Sequence, residues 1–399
     1  MSLVRVLGSA TARPNGAATL AATVTAGGSF ALRRTSGAAT PAATAPHASD
    51  LMIEPLLTRR AYRWHHALRM ASQNKIVITG AAGFIGRATT ERLTSEGTEV
   101  VGIDLSPSGE EFVTSAGGSW FQGSTTNRQD LDEAFAGATG VIHTAALVSD
   151  FGTMEEFIEV NVRGTRNVLD AAAAAGVTSV VHVSSVASWG YDFTRSPKDE
   201  SFTRRQGVPY VDTKAASDDM ALRRGAAVVR PGDVYGPRSV PWTIRPIEAM
   251  QSGSFVLPGG GKGLMTPVFI DDLVDLVLLA LAAPEASGRA VTGFAGEPVT
   301  ASDFFDYYAR MLGKEATPTA PRPIATAGIV ALAALARLRG RQPEISTNAI
   351  TFISRKESYD TELAETLLGW KPQVSLEEGM RVTAEWLRSS GLLNATPAT

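Results

Sequence analysis

Residues 75–104 read KIVITGAAGFIGRATTERLTSEGTEVVGID. The first five, KIVIT, are a short apolar β-branched run and predict a strand. Gly80-Ala-Ala-Gly83-Phe-Ile-Gly86 follows, and the stretch to Glu96 predicts a helix closed by Gly97. EVVGID, 99–104, predicts the next strand, with Asp104 lying 24 residues after Gly80. Glycines at this spacing let backbone N–H groups approach a pyrophosphate at the positive end of a helix. An acid ending the following strand can accept hydrogen bonds from the hydroxyls of an adenosine ribose. The competing reading is a tight turn and a solvated Asp. The strand–turn–helix context favours a dinucleotide site.

Outward from this unit the alternation repeats. Helices are predicted over 128–136, 155–175 and from about 210 to Gly225. Strands are predicted at GVIHTA (140–145), SVVHVSS (179–185) and AAVVRP (226–231). Strands alternating with helices predict right-handed crossovers and a doubly wound parallel α/β sheet of the Rossmann type over residues 73–235. After 235 the pattern loosens around clustered Pro and Gly. Residues 236–393 are expected mainly to form a smaller substrate domain, with 265–283 returning to the sheet. Positions 324–338, IATAGIVALAALARL, form an apolar stretch too short to span a bilayer. A packed helix is expected there in preference to an interfacial one.

Tyr210 and Lys214 stand four residues apart, on one face of a helix. An ammonium beside a phenol stabilises the phenolate, so this pair suits acid–base work on an alcohol and its ketone. Of seven tyrosines only Tyr210 has Lys at this spacing; Tyr191 has Arg195 and is ranked far lower. Ser184 and Ser185 end a strand at the edge where such sheets bind ligands, although serine there also suits a turn. Asn161 is a poor helix former inside a helix. It is read as holding a water or backbone group in a proton relay, against the plain alternative of an exposed polar residue. His143 is read as a packed strand residue.

The 399 residues are 44% hydrophobic and 19% charged, enough for a real core. The absence of cysteine excludes disulfides, thiol catalysis and cysteine-ligated metals, and with three of five His in the first 69 residues no metal site is expected. A net charge of −3 argues against a nucleic-acid partner. Residues 1–69 hold eight Arg, no Lys and two acids. They are read as an unstructured extension, either an organellar transit peptide or sequence upstream of a start at Met70. The expected compartment is the cytoplasm, or an organelle if the transit reading holds.

With these residues in hand, the chain from about 70 to 393 resembles the extended short-chain dehydrogenase/reductase superfamily, in its NAD-dependent epimerase/dehydratase and 3β-hydroxysteroid dehydrogenase branch. The marks are TGAAGFIG (79–86), VIHTAA (141–146), NVRGTRNVLDAA (161–172), VSSVASWG (183–190), YVDTK (210–214), RPGDVYGP (230–237), FIDDLVD (269–275) and LGWKPQVSLEEGM (368–380). The resemblance implies a Ser185–Tyr210–Lys214 catalytic set, with Lys214 also on the nicotinamide ribose. It implies that Gly80, Gly83, Phe84, Ile85, Gly86, Asp104, Ala145 and Pro231 line NAD. Trp189 stands where the family often has Tyr, and Ser124 where it often has an Asp near the adenine. NAD is expected over NADP, because Asp104 would repel a 2′-phosphate and residues 105–109 supply no cation, Arg87 being the nearest one. Nucleotide-sugar members carry an Arg-Asp pair where this chain has Met265 and Thr266. That favours an alcohol or ketone on a hydrophobic, steroid-like small molecule. The alternatives are a nucleotide-sugar 4-epimerase and a non-catalytic NAD-binding regulatory protein. No membrane span is expected, and a homodimer is the candidate assembly.

Overall fold

Seven strands pair in parallel: β1 (Lys75–Thr79), β2 (Glu99–Asp104), β3 (Ser119–Gln122), β4 (Gly140–His143), β5 (Ser179–Val183), β6 (Ala227–Pro231) and β7 (Ala290–Gly293), in the order β7-β6-β5-β4-β1-β2-β3. The computed structural model describes residues 75–191, 206–340 and 346–393, all within one compact unit. The expectations for residues 1–69 lie outside the described residues. Strand order reverses between β1 and β4, which opens a crevice at their carboxyl ends. The period of two along each strand divides the core. Val77, Val101 and Val141 pack under α2 (Arg128–Ala134) and α3 (Gly164–Ala174) on one face. Ile76, Ile78, Val100 and Ile142 belong to the other face, together with Leu93 of α1 (Phe84–Ser95) and the apolar α5 (Ile270–Ala282).

Two expected elements differ in detail. The helix read over 155–175 begins at Met154 behind a Thr153–Glu156 capping box. It then widens into a π-turn at Ile158–Arg163 before α3. The segment 267–283 does not add a strand to the main sheet. Residues Pro267–Phe269 pair with Asp233–Tyr235 in a separate parallel pair, and α5 lies against the sheet as a cover. The strand that does return is β7, paired with β6. The core runs continuously past residue 235: Val229, Met265, Phe304, Tyr308 and Met380 belong to one buried cluster.

Residues after 235 supply α6 (Arg322–Leu338) and α7 (Thr347–Ile353). α6 forms where the apolar stretch was read and packs a half-buried face on α7, but none of its residues is fully buried, so the packed helix expected there is covered on one side only. Apolar composition shows that a helix can form; it does not supply a partner for every face. Among the described residues no helix is long and apolar enough to cross a membrane.

Candidate active site

The turn after β1 is built by backbone sterics. Gly80 has φ +77°, and a Cβ there would meet the Ala145 nitrogen at 2.6 Å. A Cβ at Gly86 would lie 2.2 Å from the Gly80 carbonyl oxygen, so the first turn of α1 can press against the loop only as glycine. Gly83 is the N-cap of α1 and gives no side-chain cap, which leaves the N–H groups of Phe84 and Ile85 at the helix mouth. Asp104 accepts from Ala82 N–H at 3.0 Å and from Ser106 N–H at 2.9 Å, so the acid is fixed beside the turn. Pro231 ends β6 and is buried. Arg87 donates to the carbonyls of Ala82 (2.9 Å) and Ser108 (3.4 Å), bridging the turn and the loop after β2. Ser124 bonds Thr126. The narrow glycine cradle, the uncapped helix end and the fixed acid fit a dinucleotide.

α4 (Pro209–Arg223) starts at a proline, which needs no N–H partner at a helix start. Tyr210 lies in its first turn and Lys214 one turn on. Strand β5 is two residues shorter than read, so Ser185 is the N-cap of the short 3₁₀ turn Val186–Trp189, its hydroxyl accepting from Ala187 N–H at 3.1 Å. Ser185 and Tyr210 line one cavity. Ser184 is buried and does not line it. Burial pushes the Tyr210 phenol up to about 12, with the Ser185 hydroxyl opposing and Asp218 adding to the rise. The expected lowering by Lys214 is not seen. The Lys214 ammonium donates to the Val183 carbonyl at 3.1 Å, and burial brings it down to about 8 against the pull of Asp218. Desolvation is the largest cause for both groups.

Asn161 lies in the π-turn and is buried, so it is not an exposed polar residue. Its Oδ1 accepts from Leu147 N–H at 2.7 Å, and its Nδ2 donates to the Leu147 carbonyl and to Thr213 Oγ1, each at 3.1 Å. Both amide hydrogens are committed to clamping the loop after β4 onto α4. Behind Lys214 runs a buried polar layer. Asp218 accepts from Arg230 at 2.7 Å, and Arg230 lies 4.7 Å over the Trp189 ring. His182 meets Ser217 at 3.2 Å, and His143 sits between Thr79 and Thr165 at 2.7 and 3.0 Å. Burial holds both imidazoles well below the usual histidine range, so they are neutral.

The cavity holding Ser185 and Tyr210 has a volume of about 260 Å³. Val186, Trp242, Phe255, Phe305, Phe352 and Ile353 also line it. Tyr191, ranked low in the sequence, is part of this lining and meets Phe352 edge-on at 4.9 Å. Asp233 also lines it and is paired with buried Arg355 at 2.5 Å, while Thr266 N–H donates to the same carboxylate at 2.7 Å. Sequence reasoning missed Asp233, Arg355, Trp242 and Phe352. No fixed spacing links them, and only the fold brings residues 191, 242 and 352 together. Met265 and Thr266 are buried, and Lys262 is exposed and outside the lining. Arg245 is the cation at the lining, and it is exposed.

Residues 76–292, more than half of the chain, match the family model for the NAD dependent epimerase/dehydratase family. The chain belongs to this family. It is an NAD-dependent enzyme of the extended short-chain dehydrogenase/reductase type, and NAD is its cofactor. A 2-alkyl-3-oxoalkanoate reductase of Stenotrophomonas maltophilia is 28% identical over 77% of this chain and 97% of the relative. The mouse decarboxylating sterol-4-alpha-carboxylate 3-dehydrogenase is 25% identical over 79% and 91%. The solved UDP-glucose 4-epimerase of Thermotoga maritima, with UDP-glucose, is 24% identical with a TM-score of 0.64 over 79% and 99%; that likeness is one of fold.

Proposed function

We propose that this family member interconverts a secondary alcohol and a ketone on a hydrophobic, steroid-like small molecule. The observation that carries the reading is the cavity itself: Ser185 and Tyr210 line it together with the aromatic and aliphatic side chains of Val186, Trp242, Phe255, Phe305, Phe352 and Ile353. NAD supplies the hydride chemistry when bound, held at Gly80, Gly83, Phe84, Ile85, Gly86, Asp104, Ala145 and Pro231. The Ser185 hydroxyl orients the reacting oxygen, and the Tyr210 phenol exchanges the proton with it. A phenol raised to about 12 is protonated at neutral pH, which suits proton donation to a forming alkoxide and so ketone reduction. Lys214 is assigned to the nicotinamide ribose. Asn161, with its amide hydrogens committed, is a positioning residue for α4 rather than a proton carrier.

The two relatives named for a sterol and an alkyl oxoalkanoate support the hydrophobic class. The buried ion pair of Asp233 with Arg355 supports it too, because it commits the adjacent guanidinium and leaves Arg245 as the cation at the lining for a diphosphate. The test is NADH-dependent reduction of a panel of sterol ketones, alkyl 3-oxo acids and UDP-sugars. Net NADH oxidation with the hydrophobic ketones is expected. UDP-sugar interconversion without net NADH use, and no response to the ketones, would replace this reading with the epimerase.

A further inference from the structure

α6 turns a half-buried face, Ala325, Thr326, Ile329, Ala333 and Ala336, to its neighbours and exposes the opposite face along its length. Leu338 is 85% accessible, Ile324 63%, Val330 54% and Leu332 52%. Residues 324–336 contain no charged residue, and their one polar side chain, Thr326, is half-buried and bonded back to the Arg322 carbonyl at 2.8 Å. Thirteen residues of helix present an apolar strip about 20 Å long. Patches of this kind on a soluble surface mark a binding surface.

Charge identifies the occupant. Arg322 opens the helix and Arg337 and Arg339 close it, and residues 316–343 contain no acid although the chain as a whole is −3. A second copy docked by two-fold pairing of antiparallel α6 helices would set Arg322 against Arg337 and Arg339 of its mate, with no carboxylate in the segment between them. A lipid surface meets the pattern without conflict: acyl chains take the strip, and anionic headgroups take the arginines at its ends. Seventeen residues give about 26 Å, less than the ~30 Å hydrocarbon core, so the helix would lie in the interface rather than cross it. It packs on α7, whose Ala349, Phe352 and Ile353 line the cavity.

We propose that α6 seats the enzyme on an anionic lipid surface, with the cavity wall of α7 beside the membrane. The siting next to the cavity rests on the hydrophobic-substrate reading; the membrane contact itself does not. The test is flotation of the full chain with vesicles of phosphatidylcholine, with and without phosphatidylglycerol, in the absence of substrate. The comparison is with a Val330→Glu, Leu332→Glu, Leu335→Glu variant, which keeps the Arg-rich residues 1–69 and so controls for their charge. The full chain is expected to float with the mixed vesicles, and the variant to partition at least about tenfold less. Its melting temperature and NAD affinity should be unchanged, because Val330, Leu332 and Leu335 are all exposed. Equal flotation of both proteins, or none of either, overturns the proposal. So does a wild-type dimer that the variant breaks in sedimentation, which would assign the strip to a second copy. Flotation with no turnover of any hydrophobic ketone would sink the substrate reading and leave the membrane contact standing.

Discussion

The proposed cofactor and substrate sides of the Ser185–Tyr210 site are held by different forces. On the cofactor side the geometry is set by missing atoms: Gly80 and Gly86 sit where any Cβ would strike backbone. On the substrate side it is set by large side chains brought together from distant parts of the chain, as Tyr191, Trp242 and Phe352 are. Steric exclusion tolerates almost no substitution. Aromatic packing over a cavity tolerates many, at a graded cost. The cofactor side should therefore fail abruptly and the substrate side gradually.

The largest effect is expected where the two sides meet. Tyr210→Phe removes the exchangeable proton and should lower kcat by about a thousandfold, with NAD affinity in a direct binding assay close to wild type. A variant that keeps near-normal kcat removes Tyr210 from the chemistry. Gly86→Val should lower NAD affinity by about a hundredfold or more, because the Gly80 carbonyl is backbone and cannot step aside. Calorimetric titration with NAD reads this directly, and unchanged affinity would break the steric account of the turn. Phe352→Ala, on the other side, should raise KM for the hydrophobic ketone by about tenfold while kcat and NAD affinity barely move.

The smallest effect concerns the helix that joins the sides. The folded Lys214 titrates near 8 against an ordinary 10.5, because burial penalises its charge. Between those values the unfolded chain binds more protons than the folded one, so stability rises with pH across that window. Below about 8 the cost of the buried charge is fully present. Lys214→Met should therefore stabilise the fold at neutral pH by about 1–2 kcal/mol, after allowing for the lost bond to Val183, while impairing turnover. The gain should shrink toward pH 10.5. Denaturant unfolding at neutral and alkaline pH gives the answer, and a destabilised variant at neutral pH would show that the hydrogen bond outweighs the desolvation.

The same contrast decides what could be read in the sequence. The glycine turn, Asp104 and the Tyr210–Lys214 spacing are local, and local backbone demands leave fixed spacings. The sheet followed from its alternation, except for β3 and β7, whose four residues each, SWFQ and AVTG, were not read as strands. Tyr191 was passed over because its neighbour at +4 was judged, whereas its place depends on Phe352, far along the chain. Arg355 was invisible for the same reason: its partner Asp233 lies 122 residues away. The raised Tyr210 phenol could not be read either, since spacing reports a nearby charge and not the water that the fold excludes.

The π-turn at Ile158–Arg163 has one more consequence. A π-turn is an α-helical turn with a residue inserted, and one residue is about 100° of helix rotation. The wide turn holds Asn161 against Thr213 and Leu147, while α3 beyond it still delivers Val168, Ala171 and Ala172 to the core. Residues 154–174 thus carry a spare residue. Deleting one residue within 158–163 would let the segment close into a regular α-helix with α3 still in phase, and the loss would fall on the Asn161 clamp and not on the core. A single-residue deletion, ordinarily among the harshest changes to a helix, here becomes a way of removing one function from a fold that remains.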